Sequence, residues 1–504
     1  MLFCARVTLS TLVILVPTLV SAADLDSGLA AYDRQDFVEA RSVLQEYADL
    51  GNARAQFAIG AMLAQGRGGD KDVPAGLGWL LSSAQNGFPL AREQAPRWLE
   101  NMARLTGSER ARAEAVIAAR GSEAVNTRLL PLLRAHGCAG YHPVAAAKVM
   151  SPSYPHSGQR EVRNASVLVR FIVGVDGLPR APRIMASFPE HAGFEEAAIH
   201  ALLSSRFWPA ELGNTPVEAE ADTKFLFDVI GGGFLWNSAA LKTLQKEADA
   251  GVVSAQYLLS TVVLSDQRAL GISREQALAY LGSAAQSGDV RAAAWVAEEL
   301  ATAPDCPYAE SATQWAARAA RGGIPLAQVR YARLLLQGTP SPDSVAQARN
   351  YLVAAAESTS EFAAVHAIGM LATSPFDIMR DTDSLKSARK RLKIETQAED
   401  PQAWEALAAA DADLGDFSEA VANEEKALRL AQQFLWKTTS MTERLGSYRR
   451  RSAWRGDLFR LPPAESPVPL PAKVHICDQH STGTSCIHEF QKPNWASIEK
   501  QPGS

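Results

Sequence analysis

Hydrophobic and polar positions alternate in two different ways along this 504-residue chain. Over most of its length the period is helical, with small and apolar residues three and four positions apart. One short pattern returns as Gly51-Asn-Ala-Arg-Ala55, Gly87-Phe-Pro-Leu-Ala91, Gly251-Val-Val-Ser-Ala255, Gly288-Asp-Val-Arg-Ala292 and Gly323-Ile-Pro-Leu-Ala327. A further copy at Thr359–Ala363 lacks the glycine, and neighbouring copies stand 36, 37, 35 and 36 residues apart. A fixed period of that length predicts a solenoid of helix pairs. The glycine suits the turn that ends one pair in a left-handed conformation. The alanine lets paired helices approach closely.

Between Tyr154 and Asp228 the period changes to two. Val167, Val169, Phe171, Val173 and Val175 share one face, with Arg170 among the residues between them. That alternation predicts a half-buried strand over Ser166–Val175. Asp176-Gly177 supplies a hairpin turn, and the chain returns through Arg183, Ile184 and Met185. Phe194, Ala197, Ala198, Ala201 and Leu202 follow at helical spacing, which predicts an amphipathic helix. Phe207-Trp208-Pro209 should stop it, since proline cannot continue a helix. Thr223, Phe225, Phe227 and Val229 alternate again as a last strand. The expected fold class is therefore multidomain and mainly α. A solenoid of helix pairs carries an embedded α+β module, built from an antiparallel three-stranded sheet plus one helix.

The chain is too long for one core. Residues 1–23 read as a secretory signal: Arg6, an apolar run Val7–Val20 broken by Pro17, then small residues at 20–23. The run is shorter than the roughly 20 residues a spanning helix needs. Cleavage would leave a periplasmic protein; an uncleaved segment would anchor it in the inner membrane. Helical repeats are expected over 24–135 and 237–435, and the α+β module over 140–230. A proline-rich linker and a tail occupy 440–504. Composition is 47% apolar and 21% charged with net charge −5, so no basic excess points to nucleic acid or an anionic membrane surface as a partner.

The module resembles the C-terminal domain of the TonB family. Tyr154-Pro155, the strand Ser166–Val175, Asp176-Gly177 and Ser205-Arg206-Phe207-Trp208-Pro209-Ala210 carry the resemblance in order. It implies a small antiparallel sheet with a helix on one face. It also implies a grip on a short extended segment of an outer-membrane receptor, added to a sheet edge. The repeats are similar to Sel-one-like repeats, with Leu63-Ala-Gln-Gly66 and Leu336-Gln-Gly338 matching the loop signature. Trp404, Leu407, Ala408, Leu414-Gly415, Phe417, Ala420 and Ala427 look like one tetratricopeptide unit. Such arrays imply binding scaffolds with a concave surface.

These readings lead to a periplasmic adaptor that binds a protein or peptide. The nominated contact residues are Tyr154, Pro155, Thr223, Phe225 and Phe227; core packing is the other reading of Tyr154 and Phe225. A TonB-type energy transducer is one alternative. Against it, residues 1–23 contain no histidine, a repeat array replaces the proline-rich spacer, and about 270 residues follow Asp228. A cell-envelope enzyme with accessory repeats is another. No phosphate-binding glycine loop, nucleophile elbow or zinc-protease helix motif is present in the sequence, so neither catalysis nor a cofactor is expected.

The tail holds His475, Cys477, His480, Cys486 and His488. Strands at 474–479 and 486–491, paired around a turn at Ser481–Gly483, would set Cys477 opposite Cys486 and His475 opposite His488. In an exported chain a Cys477–Cys486 disulfide is the leading reading. A zinc site of His475, Cys477, Cys486 and His488 is the alternative, beside free thiols. Cys138 and Cys306 are left over, as buried thiols or as a pair.

Overall fold

A computed structural model describes residues 25–130, 140–155, 164–188, 193–228, 238–265, 271–301, 309–380, 382–459 and 487–489. The helical period is realised as antiparallel pairs. Phe37–Asp49 pairs with Ala53–Gln65, and Val73–Gln85 with Pro89–Ala103. Beyond the module, Arg274–Gln286 packs on Val290–Leu300, Ala309–Arg321 on Pro325–Leu335, and Pro401–Asp413 on Phe417–Gln433. The recurring glycines do what the pattern requires. Gly51, Gly87, Gly251, Gly288 and Gly323 have φ of 90°, 104°, 85°, 101° and 82°. At Gly288 the left-handed turn lets Gly288 N–H reach Ala285 O at 3.1 Å and Asp289 N–H reach Ala284 O at 3.0 Å. The orphaned carbonyls of the helix end are thereby satisfied. Ala55, Ala91, Ala255, Ala292, Ala327 and Ala363 are all buried.

One element of the repeat escaped the sequence reading. Gln56, Gln256 and Gln328 each follow the pattern alanine. Each donates from Nε2 to a carbonyl eight residues back, at Ala48 (3.1 Å), Ala248 (3.2 Å) and Ala320 (3.5 Å). These buried amides tie the second helix of a pair to the end of the first. The two arrays also touch. Trp315 Nε1 donates to Leu129 O at 2.7 Å, and Arg321 pairs with Glu46 at 2.5 Å.

Ala292 is fully buried where helix Val290–Leu300 begins. Ala292→Leu should overpack that contact and cost about 1–3 kcal/mol in urea unfolding. A loss below about 0.5 kcal/mol would show that the helices are not close-packed there.

The described residues of the module form eight strands. They are β1 (Tyr141–His142), β2 (Ala145–Met150), β3 (Asn164–Val173), β4 (Pro179–Phe188), β5 (Arg206–Trp208), β6 (Ala210–Leu212), β7 (Thr215–Val217) and β8 (Ala219–Asp228). A ninth, β9 (Ile487–Glu489), comes from the tail. The central sheet runs β4-β3-β8, antiparallel throughout, with helix Phe194–Leu203 on one face. This is the expected three-stranded sheet plus helix. Two further three-stranded sheets, β5-β2-β9 and β1-β6-β7, join it. Strands of two or three residues show no period, so the sequence carried no signal for most of these.

Boundaries also differ. The first long strand ends at Val173 rather than Val175, because Gly174 N–H already turns to Leu178 O at 3.2 Å. The helix ends at Leu203, before Pro209 can stop it. Arg206–Trp208 form β5 instead: Phe207 N–H donates to Gly177 O at 3.0 Å, and the Phe207 ring lies 4.8 Å from Phe171. Helical packing continues past 435, with Thr439–Arg449 against Phe417–Gln433.

Residues 1–23 and Cys138, Cys306, His475, Cys477 and Cys486 lie outside the described residues, and His488 is described only as part of β9.

Candidate functional site

One face of the central sheet is apolar and faces the module helix. Val167, Val169, Phe171 and Val173 are fully buried against Phe194, Ala198, Ala201 and Leu202. The nominated aromatic residues belong to this core. Phe194 and Phe227 meet edge-on with ring centroids 4.8 Å apart, and Tyr154 sits edge-on to both at 5.3 and 6.1 Å. Phe225 and Phe227 are 4% and 3% exposed. Thr223 and Pro155 are half-buried, Thr223 opposite Val169 in the ladder. The rings of Phe225 and Phe227 therefore hold β8 in place.

The opposite face was expected to be wet, since Arg170 alternates with the valines. It is buried. Arg170 is 1% exposed and pairs with Glu299 at 2.5 Å and Asp222 at 3.2 Å. Arg274 meets Glu299 from its other side at 2.7 Å. Next to this group, Arg183 and Arg330 share Glu298 and Glu220, at 2.5–2.6 Å. Four arginines thus face four carboxylates, supplied half by the sheet and half by helices of the second array. Burial of any one charge without partners would cost several kcal/mol. Burial alone would raise the Glu298 carboxyl, yet the Arg183, Arg330 and Arg170 guanidinium groups hold it far below the usual range. Asp222 is likewise lowered: its desolvation is outweighed by Arg170 and Arg274.

The outer side of the module helix is covered as well. Leu178, Ile199 and Leu203 pack on Ala427, Ala431, Phe434 and Trp436 of the tetratricopeptide-like unit. Arg206 Nη2 donates to Phe434 O at 2.9 Å. The module is held on both faces, which leaves its strand edges.

The β4 edge is interrupted. It carries Pro179 and Pro182, and its register with β3 shifts twice. Gln402 Oε1 accepts from Ala181 N–H at 3.1 Å, and Gln397 Nε2 donates to Pro182 O at 3.1 Å. Beyond these caps a cleft of about 760 Å³ runs along Ile184–Ser187, lined also by Glu361, Arg391 and Lys393. Prolines, bulges and capping are the usual means of closing an edge. β8 carries neither a proline nor a bulge. Its ten residues keep an unbroken register with β3, from Asn164↔Asp228 to Val173↔Ala219. Among the described strands β8 has a neighbour on one side only.

Backbone direction follows from the hairpin. Gly174 N–H bonds to Leu178 O, so even-numbered backbone groups of β3 face β4 and odd-numbered groups face β8. Ala181 N–H turned outward to Gln402 agrees with this phase. In register, odd-numbered residues of β8 bond to β3. The N–H and C=O of Glu220, Asp222 and Leu226 then point to the open side. Leu226 is 39% exposed.

Residues 150–229 match the family model of the Gram-negative bacterial TonB protein C-terminal. The match covers the module and not the repeats. No curated protein matches the chain. Among solved structures, one similar chain is a protective antigen of uropathogenic Escherichia coli displaying an SLR fold. It is 14% identical, with 89% of this chain and 80% of that chain covered, at a TM-score of 0.30. Another is a Sel1 repeat protein from Oxalobacter formigenes, 19% identical over 78% of this chain and 88% of that one, at a TM-score of 0.23. Superpositions this loose carry no argument; the solenoid rests on the helix pairs above. No described helix is long and apolar enough to cross a membrane. Among the described residues no group of three His, Cys, Asp or Glu is placed to hold a metal.

Proposed function

We propose that this protein is a periplasmic interaction scaffold whose TonB C-terminal-like module takes an extended peptide, or the edge of another protein, onto β8. The single observation that carries the reading is the contrast between the two edges of the central sheet. β4 is broken and capped, whereas β8 is long and regular and, among the described strands, is paired on one side only. Main-chain bonds along Glu220–Leu226 would supply affinity, and neighbouring side chains the choice of sequence. An outer-membrane receptor segment is the partner class that the family match favours. Export through residues 1–23 would place the protein where such a segment is reached. The reading is binding rather than catalysis: the carboxylates gathered at the junction of module and array, Asp222, Glu220, Glu298 and Glu299, are each paired with arginines. The clamp on both faces of the module favours a fixed scaffold over an energy transducer, whose domain must move with its load.

Leu226→Pro removes an outward N–H while sparing the bonds to β3, since proline is tolerated where its nitrogen faces away from the sheet. Ten-residue peptides selected on the full-length protein should bind wild type and Leu226→Ala alike. They should bind Leu226→Pro about tenfold more weakly, the worth of one hydrogen bond. Equal binding by the proline variant, with an unchanged circular dichroism spectrum, would move the site away from β8.

A further inference from the structure

A second edge in the module already has an occupant. β2 pairs with β5 on one side and with β9 on the other, as Lys148↔Glu489, Val149↔His488 and Met150↔Ile487. β9 is no part of the contiguous module. The whole second array and the prolines 462, 463, 467, 469 and 471 stand between them in sequence. The β2–β5 pair and the central sheet are complete without it. Its contact is strand addition carried out within one chain.

The phase of the ladder identifies the groups involved. Met150 N–H donates to Ser205 Oγ at 2.9 Å, next to Arg206 at the start of β5. Alternation then turns the N–H and C=O of Val149 toward β9, opposite His488. Val149 and His488 are the pair that exchanges both main-chain bonds. A three-residue strand gains few bonds, each worth about 1 kcal/mol net. Tethering compensates, because a linked strand is present at an effective concentration in the millimolar range.

We propose that the outer edge of β2 is a second strand-acceptor site, and that its ligand is the chain's own tail, Ile487–Glu489. Left uncovered, β2 would present a row of main-chain donors and acceptors to any other strand, including a second copy of this chain. The tail closes that edge, while β8 keeps a neighbour on one side only among the described strands. This inference stands apart from the β8 reading, since the two edges belong to different sheets.

Amide hydrogen exchange over residues 145–150 of the full chain tests it. Two altered proteins are needed: the full-length chain with His488→Pro, which removes the N–H facing Val149 from outside the module, and a chain that ends at residue 465. In wild type the Val149 amide should be protected. In both altered proteins it should exchange at least tenfold faster. Adding a synthetic peptide of residues 484–492 with Cys486→Ser, at millimolar concentration, should restore protection to the shortened chain. Val149 that exchanges at the free-peptide rate in wild type overturns the proposal. So does protection that survives both changes, or a peptide that restores nothing. Leu226→Pro should leave Val149 protected, which separates a failure here from a failure at β8.

Discussion

Glu298→Ala should cost this protein about 3–5 kcal/mol at pH 7, the typical penalty for removing one member of a buried ion-pair network. Glu298 is 2% exposed and receives Arg183 from the sheet and Arg330 from the second array. Without it the two guanidinium groups are left with Glu220 alone. Its carboxyl is held below the usual carboxylate range in the folded protein. The stabilisation it provides is therefore complete above the unfolded value near pH 4.5 and is lost as pH falls below that. Trp295 lies one turn before Glu299 and donates to its Oε1 at 3.2 Å, so tryptophan fluorescence during urea unfolding reports on this junction. A double variant, Glu298→Met with Arg183→Met, should lose less than Glu298→Ala, because Arg330 and Glu220 then remain as a one-to-one pair instead of two guanidinium groups sharing one carboxylate. A single-variant loss below about 1 kcal/mol would mean that water reaches the network. The seat of the module on the array would then rest on apolar contacts alone.

Asp400→Asn should stabilise the protein above neutral pH and do little in acid. Asp400 is 1% exposed and caps helix Pro401–Asp413, its Oδ1 accepting from Gln402 N–H at 3.0 Å. Burial pushes its carboxyl up to about 7; the cap bond opposes this and the nearby Glu405 adds to it. A folded value above the unfolded one means that the folded state holds the proton more tightly. Stability from this group is thus full below about pH 4, falls as pH rises toward 7, and stays low beyond. Three pK units correspond to about 4 kcal/mol at most. Asparagine caps a helix as well as aspartate does and has no proton to lose. Unfolding of both proteins at pH 4.5 and pH 8 should show nearly equal stabilities at the lower pH. At the higher pH the variant should gain about 2–4 kcal/mol. A difference that does not change with pH would mean that Asp400 is hydrated.

The sequence alone determined the repeat and the module core. Gly288 and Ala292 are legible because a left-handed turn and a close helix crossing admit few side chains, so the same residues return every pair. Val167, Val169, Phe171 and Val173 are legible because a strand shows its buried face as a period of two. Alternation cannot say what lies over the other face. Arg170 alternates with the valines of a half-buried strand, and only the approach of Glu298, Glu299 and Arg330 from distant helices turned that face, with Arg183, Glu220 and Asp222, into a buried junction. Edge exposure is equally a tertiary property. Pro179 and Pro182 mark β4 in the sequence, but only the fold brings Gln397 and Gln402, more than two hundred residues away, to cap it. The nominated aromatics of β8 turn their rings into the module core, while alternate backbone groups of the strand turn to its outer edge. Nor could a local period announce β9, because three residues acquire strand geometry only from the partner they meet.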